Sequence, residues 1–139
     1  MKSPRRLHRV CGFALLVLFL ATGVYMRVWL GGLKELEPGT RMLYRSRHIY
    51  LLAAGLIHLN LGAYLIPMKR RWRQVMQSIG SMLLIIASGL LIVAYFREPQ
   101  LGLFKTPTSQ FGIILLLAGT LFHVIATGFL EPLTEPFRT

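Results

Sequence analysis

Charged residues, and acidic ones above all, are scarce in this chain of 139 residues. Only 15% of the residues are charged, and five Asp and Glu stand against 16 Lys and Arg. A soluble domain normally has about a quarter of its residues charged. The scarcity therefore excludes an ordinary soluble domain. The charges that are present leave four long uncharged windows, at 10–26, 49–68, 75–96 and 106–130.

The chain has a single cysteine and lacks the common catalytic motifs. Cys11 is the one cysteine, which excludes an internal disulfide, a CxxC pair and a thiolate metal cluster. The chain has no P-loop, no HExxH, no GxSxG and no paired acids at catalytic spacing. Glu98, in the third connection, is interpreted as a solvated charge. Nothing predicts a self-contained enzyme, so we leave the question open and favour a non-enzymatic protein.

The four uncharged windows are near or above the ~17–25 residues that cross a bilayer as a helix. They show no strand-like alternation, so transmembrane helices are predicted. We expect an all-α integral membrane protein, one domain over 1–139, with four helices in an up-down-up-down bundle. The predicted helices are 10–30, 48–68, 75–96 and 108–130, with a basic amphipathic outer connection at 31–47. Pro99 and Pro107 are expected to keep the third connection non-helical.

The net charge of +11 lies in short segments beside the apolar spans. There, Lys and Arg set topology and meet anionic lipid, so nucleic acid is not expected as a partner. The acid-free leader 1–9 and the basic turn after helix 2 predict that both termini lie on the cytoplasmic side. The membrane is expected to be a bacterial inner membrane. Helix 1 is either retained or a cleaved signal peptide. Retention is preferred because VYMRVWL continues the apolar character beyond the small-residue site at 21–23.

A repeat links the second and fourth windows. The stretch LLAAGLIHLNLGAYLIP at 51–67 returns, altered, as LLLAGTLFHVIATGFLEP at 115–132. In both copies, proline follows the histidine by nine residues. This similarity predicts two duplicated helical hairpins related by a pseudo-two-fold axis along the membrane normal. His58 and His123 then lie at similar depth and face the bundle interior, because an unpaired imidazole facing lipid is costly.

Three interpretations of these histidines compete. In the first, they are axial ligands of a b-type haem held between diagonal helices, which would make the protein an electron carrier. Haem iron is the one metal that this arrangement would bind. Glycines on the histidine faces would make room for the macrocycle, and two arginines at the outer helix ends would approach the propionates. The residues of this cofactor site are His58, His123, Gly55, Gly62, Gly119, Arg27 and Arg97.

In the second interpretation, the histidines only form hydrogen bonds between helices and fix the packing. In the third, they line a polar pathway for a proton or a substrate. No Asp or Glu lies inside a predicted span, so the usual carboxylate relay is missing from such a pathway.

The outer connection carries the other candidate site. From Thr40 onward a helical turn places Arg41, Arg45 and His48 on one face, with Arg47 beside it. Such a face can hold an anion or a lipid head group. The alternative is an ordinary basic edge at the membrane interface.

The predicted function is that of a small polytopic membrane protein, a subunit or accessory factor of a larger membrane assembly. Its partners are the lipid bilayer and either a membrane protein or further copies of the chain. The alternatives are the b-type haem electron-transfer protein and a small lipid- or solute-handling protein.

Overall fold

The computed structural model describes residues 4–66, 70–101 and 106–127, and within them the chain is all-helical. Helix α1 covers Pro4–Val28, α2 covers Pro38–Tyr64, α3 covers Arg71–Leu101 and α4 covers Pro107–Thr127. A short 3-10 turn, Gly31–Leu33, follows α1. Gly31 and Gly32 adopt φ of +55° and +68° there, a left-handed conformation that glycine takes without a steric penalty.

Proline marks two of the helix starts. Pro38 and Pro107 are the first residues of α2 and α4, where proline fixes φ at a helical value and no N–H partner is needed. α2 ends at Tyr64, and Leu65 is already extended with ψ of 115°. Pro67 follows two residues later and lies outside the described residues, as do Pro132 and the predicted end of the fourth helix at 130.

The helices form two tightly packed antiparallel hairpins, α1 with α2 and α3 with α4. In each hairpin, glycines bring the two backbones together. A Cβ on Gly12 would lie 3.0 Å from the carbonyl oxygen of Gly55, and one on Gly119 would lie 2.9 Å from that of Gly80. Contacts between α2 and α3 join the hairpins. Adjacent helices are antiparallel throughout, since His58 contacts Ser88 while Arg47 contacts Glu98.

The bundle therefore has two ends. We name the histidine end after His8, His58 and His123; it is where α1 and α3 begin and α2 and α4 end. We name the arginine end after Arg47, which pairs with Glu98 where α2 and α4 begin. Between them lies an apolar core in which several side chains are fully buried, including Leu51, Ala54, Leu84, Ala87 and Leu91.

Within the described residues, three helices are long and apolar enough to cross a membrane: α1, α3 and α4. The outer surface agrees, because large side chains such as Phe13, Phe111 and Leu117 are 63–65% exposed. α2 is long enough but does not qualify. Its sequence is interrupted by polar and charged residues: Arg41, Arg45, Arg47, His48, His58 and Asn60.

Most of the predicted helix limits were wrong. α1 covers Pro4–Val28 instead of 10–30 and includes the basic leader, α2 covers Pro38–Tyr64 instead of 48–68, and α3 covers Arg71–Leu101 instead of 75–96. The prediction that Pro99 stops the third helix fails because Pro99 lies in the last turn of α3. At this position proline deletes only one backbone hydrogen bond, and the neighbouring Glu98 anchors the turn to α2 and α4.

Candidate functional site: a histidine–serine chain in the bundle

His8 is the centre of the histidine end. It is fully buried, although the residues on either side of it are exposed. The buried face of α1 continues through Gly12, Leu15 and Thr22, at the three- and four-residue spacing of one helical face. The helical geometry of α1 therefore directs the side chain of His8, a residue of the basic leader, into the bundle.

Four hydrogen bonds link three histidines and two serines across the four helices. Nδ1 of His8 lies 2.8 Å from Nδ1 of His58, and Nε2 of His8 lies 2.9 Å from Oγ of Ser81. Nε2 of His58 lies 3.0 Å from Oγ of Ser88, and Oγ of Ser81 lies 3.2 Å from Nε2 of His123. We call this set the histidine–serine chain.

The direction of the chain follows from its Ser88 end. Oγ of Ser88 donates its one proton to the carbonyl oxygen of Leu84, at 2.9 Å. In this arrangement Ser88 accepts from His58, so Nε2 of His58 carries the hydrogen. A neutral imidazole has one N–H. Nδ1 of His58 is then the acceptor, and Nδ1 of His8 must donate to it.

The same rule fixes the other half. Nε2 of His8 has no hydrogen, so it accepts from Ser81. Ser81 has then used its proton and accepts from Nε2–H of His123. With all three rings neutral, every donor therefore points from His123 through Ser81, His8 and His58 toward Ser88.

Each end of the chain reaches a cavity in the side of the bundle. His58 and Ser88 line a cavity of about 480 Å³ between α1 and α3, together with Cys11, Leu15 and Gly89. His123 lines one of about 300 Å³ between α2 and α4, with Asn60 and Thr127. Among the described residues, Nδ1 of His123 has no hydrogen-bond partner.

The three imidazoles do not converge on a point. His8 uses its two nitrogens in different directions, toward His58 and toward Ser81. Accordingly, the described residues contain no group of three His, Cys, Asp or Glu side chains placed to hold a metal ion. In this arrangement the cluster is a hydrogen-bonded row.

The structure brings together only part of the predicted haem site. His58 and His123 are both buried, as expected. The ring centroid of His8 lies 4.9 Å from that of His58 and 5.7 Å from that of His123. Arg27 and Arg97 are exposed at the arginine end. Arg97 follows Ser81 by 16 residues, which corresponds to roughly 24 Å of helix.

The three predicted glycines contact neighbouring helices. A Cβ on Gly55 would lie 3.3 Å from Cβ of Leu15, and one on Gly62 would lie 2.8 Å from the backbone nitrogen of Arg9. On Gly119, it would lie 2.8 Å from Cγ of Leu84. The space beside each glycine is therefore occupied by another helix.

The arginine end holds a second buried polar cluster. Glu98 is 1% exposed, and its Oε2 accepts from Nε of Arg47 at 2.8 Å. Oε1 accepts from the backbone N–H of Ser109 at 2.8 Å, while Nη2 of Arg47 donates to Oγ of the same serine. The interpretation of Glu98 as a solvated charge was wrong: the carboxylate joins α2, α3 and α4 inside the bundle.

The residues predicted to bind an anion are divided between two faces of α2. Arg41 and Arg45 line an outer cavity of about 350 Å³. Arg47 is buried against Glu98. His48 is half-buried, with its ring stacked 4.0 Å from that of Phe19 and its Nδ1 3.0 Å from Oγ1 of Thr22.

Sequence reasoning missed His8, Ser81 and Ser88. A signal for each was present. His8 stands four residues before Gly12 and seven before Leu15, on one helical face. Ser81 and Ser88 are seven residues apart, so they share a face of α3. Serine is also common where membrane helices pack and bond to each other.

No family model matches this chain, and no curated protein or solved structure matches it either.

Proposed function

We propose that this chain is a four-span integral membrane protein that acts as an accessory subunit of a membrane assembly and carries a proton along the histidine–serine chain. The observation that carries the proposal is the unbroken row of hydrogen bonds through all four helices. The row has a single direction when Ser88 donates to Leu84. Polar side chains in an apolar interior are costly unless they form hydrogen bonds, and the members of this row form them with each other.

The fourth span in this proposal is α2. Its buried polar residues, among them Arg47 and His58, bond within the bundle, which removes the cost of carrying them across lipid. Its outer face presents Met42, Ile49 and Leu56, which are 47–59% exposed. These positions share one helical face. The distribution of Lys and Arg further supports an orientation with both termini on the cytoplasmic side. The membrane in this proposal is a bacterial inner membrane.

Labelling of single cysteines tests the four-span topology. In a Cys11→Ala background, Glu35→Cys lies before α2 and Arg70→Cys lies before α3. A membrane-impermeant maleimide added to intact spheroplasts should label the first and spare the second until the membrane is opened. Equal labelling of both positions before lysis would show that α2 does not cross.

The accessory role rests on the closed interior. In the described residues, polar core groups bond to each other, and the cavities at the two ends of the histidine–serine chain are lateral clefts in the side of the bundle. α4 also presents Phe111, Ile114 and Leu121, which are 56–63% exposed, as a face for lipid, another subunit or a second copy. On native gels, the protein extracted from its own membranes should migrate in a larger complex than the protein made in a foreign host. Equal small masses from both sources would contradict the role.

Proton transfer would begin at Nδ1 of His123, the chain nitrogen without a partner. A proton bound there turns the ring into an imidazolium, which passes its Nε2 proton through Ser81 to His8. His8 then gives its Nδ1 proton to His58, and His58 passes its Nε2 proton to Oγ of Ser88. The hydroxyl proton of Ser88 turns away from Leu84 and leaves to a water molecule in the cavity that Ser88 lines. One proton is taken up and one is released, and every hydrogen bond in the row has reversed. Rotation of the hydroxyls and rings restores the first state.

A ¹⁵N titration of histidine-labelled protein in lipid nanodiscs tests the order of proton uptake. The protein has four histidines, and His48, outside the chain, supplies the internal reference. Within the chain, His123 should be the first ring to become doubly protonated as the pH falls. First protonation of His8 or His58 would contradict the proposed uptake point.

The second candidate is the b-type haem protein with His58 and His123 as axial ligands. Its support is that both imidazoles are buried in one cluster. Binding would require that His8 and Ser81 leave the space between them and that the glycine contacts open. A reduced-minus-oxidised visible spectrum of protein made with haem precursor decides whether the chain binds haem. A sharp α-band that disappears in both His58→Ala and His123→Ala would establish haem, whereas a flat spectrum from folded protein would remove this candidate.

A further inference from the structure

The first turns of α2 carry a cationic pocket on the outside of the bundle. The pocket has a volume of about 350 Å³ and is lined by Pro38, Arg41, Met42, Arg45, Ser46 and Ile49. Arg41 and Arg45 are four residues apart, so their side chains lie on one helical face. The pocket is separate from the histidine–serine chain, which lies at the other end of the bundle.

The two arginines keep their charge unpaired. Over residues 4–66, 70–101 and 106–127, the one ion pair within 4 Å is Arg47 with Glu98. Arg47 is thereby neutralised and buried, whereas Arg45 is exposed. Two guanidinium groups with no carboxylate within 4 Å form a site for an anion such as phosphate.

Arg41 is already positioned by the backbone. Its Nη2 donates to the carbonyl oxygens of Lys34 and Leu36, both at 3.1 Å. Its Nε is buried without a partner. The guanidinium is thus held beside the pocket that it lines before any ligand arrives, which lowers the entropic cost of binding.

An apolar track leads away from the pocket toward the middle of the bundle. Met42 and Ile49 line the pocket, and Leu56 follows Ile49 by two turns on the same face. All three are 47–59% exposed. A phosphate over two arginines, followed by an apolar track, matches the two chemical parts of an anionic phospholipid, and a free anion would leave the track unused.

We propose that Arg41 and Arg45, with Ser46, bind the phosphate of one anionic phospholipid and that its acyl chain lies along Ile49 and Leu56. The site holds the first turns of α2 at the membrane surface and is independent of proton transfer. His48 and Arg47, which the sequence grouped with these arginines, do not belong to it because both face the interior.

Native mass spectrometry of the full-length protein with phosphatidylglycerol or phosphatidylcholine of equal acyl chains tests the proposal. The pocket variant is Arg41→Gln with Arg45→Gln. The control is Arg27→Gln with Arg97→Gln, which removes the same charge from two exposed arginines at the same end of the bundle. The wild type should prefer phosphatidylglycerol, and the pocket variant should bind it roughly tenfold to thirtyfold more weakly, while the control changes less than about twofold.

Three results would overturn the proposal. Equal weakening in the pocket and control variants would reduce the effect to general surface charge. Equal affinity of the wild type for both lipids would remove the head-group preference. Loss of the phosphatidylglycerol preference when inorganic phosphate is added would assign the pocket to a free anion. Arg41→Lys with Arg45→Lys, which keeps the charge, shows whether a folding defect explains weakened binding, because it should retain at least part of the preference.

Discussion

The two ends of the bundle solve the problem of burying polar groups in opposite ways. At the arginine end, Arg47 and Glu98 are charged and closed on each other through several hydrogen bonds, with Ser109 completing the set. At the histidine end the groups are neutral and stand in single file, and each bonds to the next. An ion pair that satisfies itself fixes one geometry. A single file of neutral rings has a second, reversed state available to it.

The two ends therefore differ in whether their hydrogen bonds can rearrange. The ion pair joins α2, α3 and α4 close to the starts of α2 and α4 and the end of α3. It therefore fixes the arrangement of the two hairpins. The histidine–serine chain has an acceptor left over at His123 and cavities at both of its ends. Its hydrogen bonds can therefore rearrange without opening the bundle.

The largest expected effect is on the ion pair. Arg47→Ala leaves the Glu98 carboxylate buried without its partner, and we expect a loss of about 3–5 kcal/mol in the free energy of unfolding. The double variant Arg47→Met, Glu98→Leu should lose clearly less, because no charge is left behind. Unfolding in mixed detergent micelles measures both, with exposed Arg45→Ala as the control. Equal losses in the single and double variants would mean that the cluster does not act as an ion pair.

The second expected effect is on the middle of the chain. His8→Ala leaves Nδ1 of His58 and the Ser81 hydroxyl without their partner and opens a cavity, so we expect a loss of about 2–4 kcal/mol. His48→Ala, at a half-buried ring that stacks on Phe19, should lose only about 1 kcal/mol. The same unfolding assay compares them. If His8→Ala costs no more than His48→Ala, His8 is not the buried centre of the cluster.

The smallest effects come from a matched pair of serines, one in each cluster. Ser88→Ala and Ser109→Ala should each cost about 0.5–1.5 kcal/mol, as for one hydrogen bond. The two variants should differ in their effect on the histidine tautomers. Only Ser88→Ala removes the acceptor that places the hydrogen of His58 on Nε2, so only that variant should change the tautomer populations seen in ¹⁵N spectra. A tautomer change in Ser109→Ala would mean that the two ends are coupled.

Much of the architecture could be predicted from the sequence. Long uncharged windows reveal apolar helices directly, since few other structures accommodate them. The inward direction of His58 and His123 followed from the cost of exposing an imidazole to lipid, and their burial confirms it. Glycine on the same face indicated close approach, but the sequence did not distinguish an approaching helix from a flat ligand.

The partners of the polar groups could not be predicted. Arg47 and Glu98 are 51 residues apart, and a lone carboxylate near a helix end is most often solvated. His8 was assigned to a basic leader because the first uncharged window begins two residues later. Which side of that leader is buried depends on where α2 and α3 pack against it, and a single sequence does not contain that information.

The central claim, a one-directional chain of neutral rings, is tested most directly at the bond between His8 and His58. In ¹⁵N-histidine-labelled protein, a scalar coupling between two nitrogens passes through an N–H···N hydrogen bond. At neutral or mildly alkaline pH, the account predicts a coupling that joins the protonated Nδ1 of His8 to the unprotonated Nδ1 of His58, at their separation of 2.8 Å. Folded protein without this coupling, or with the hydrogen on Nδ1 of His58, would contradict it.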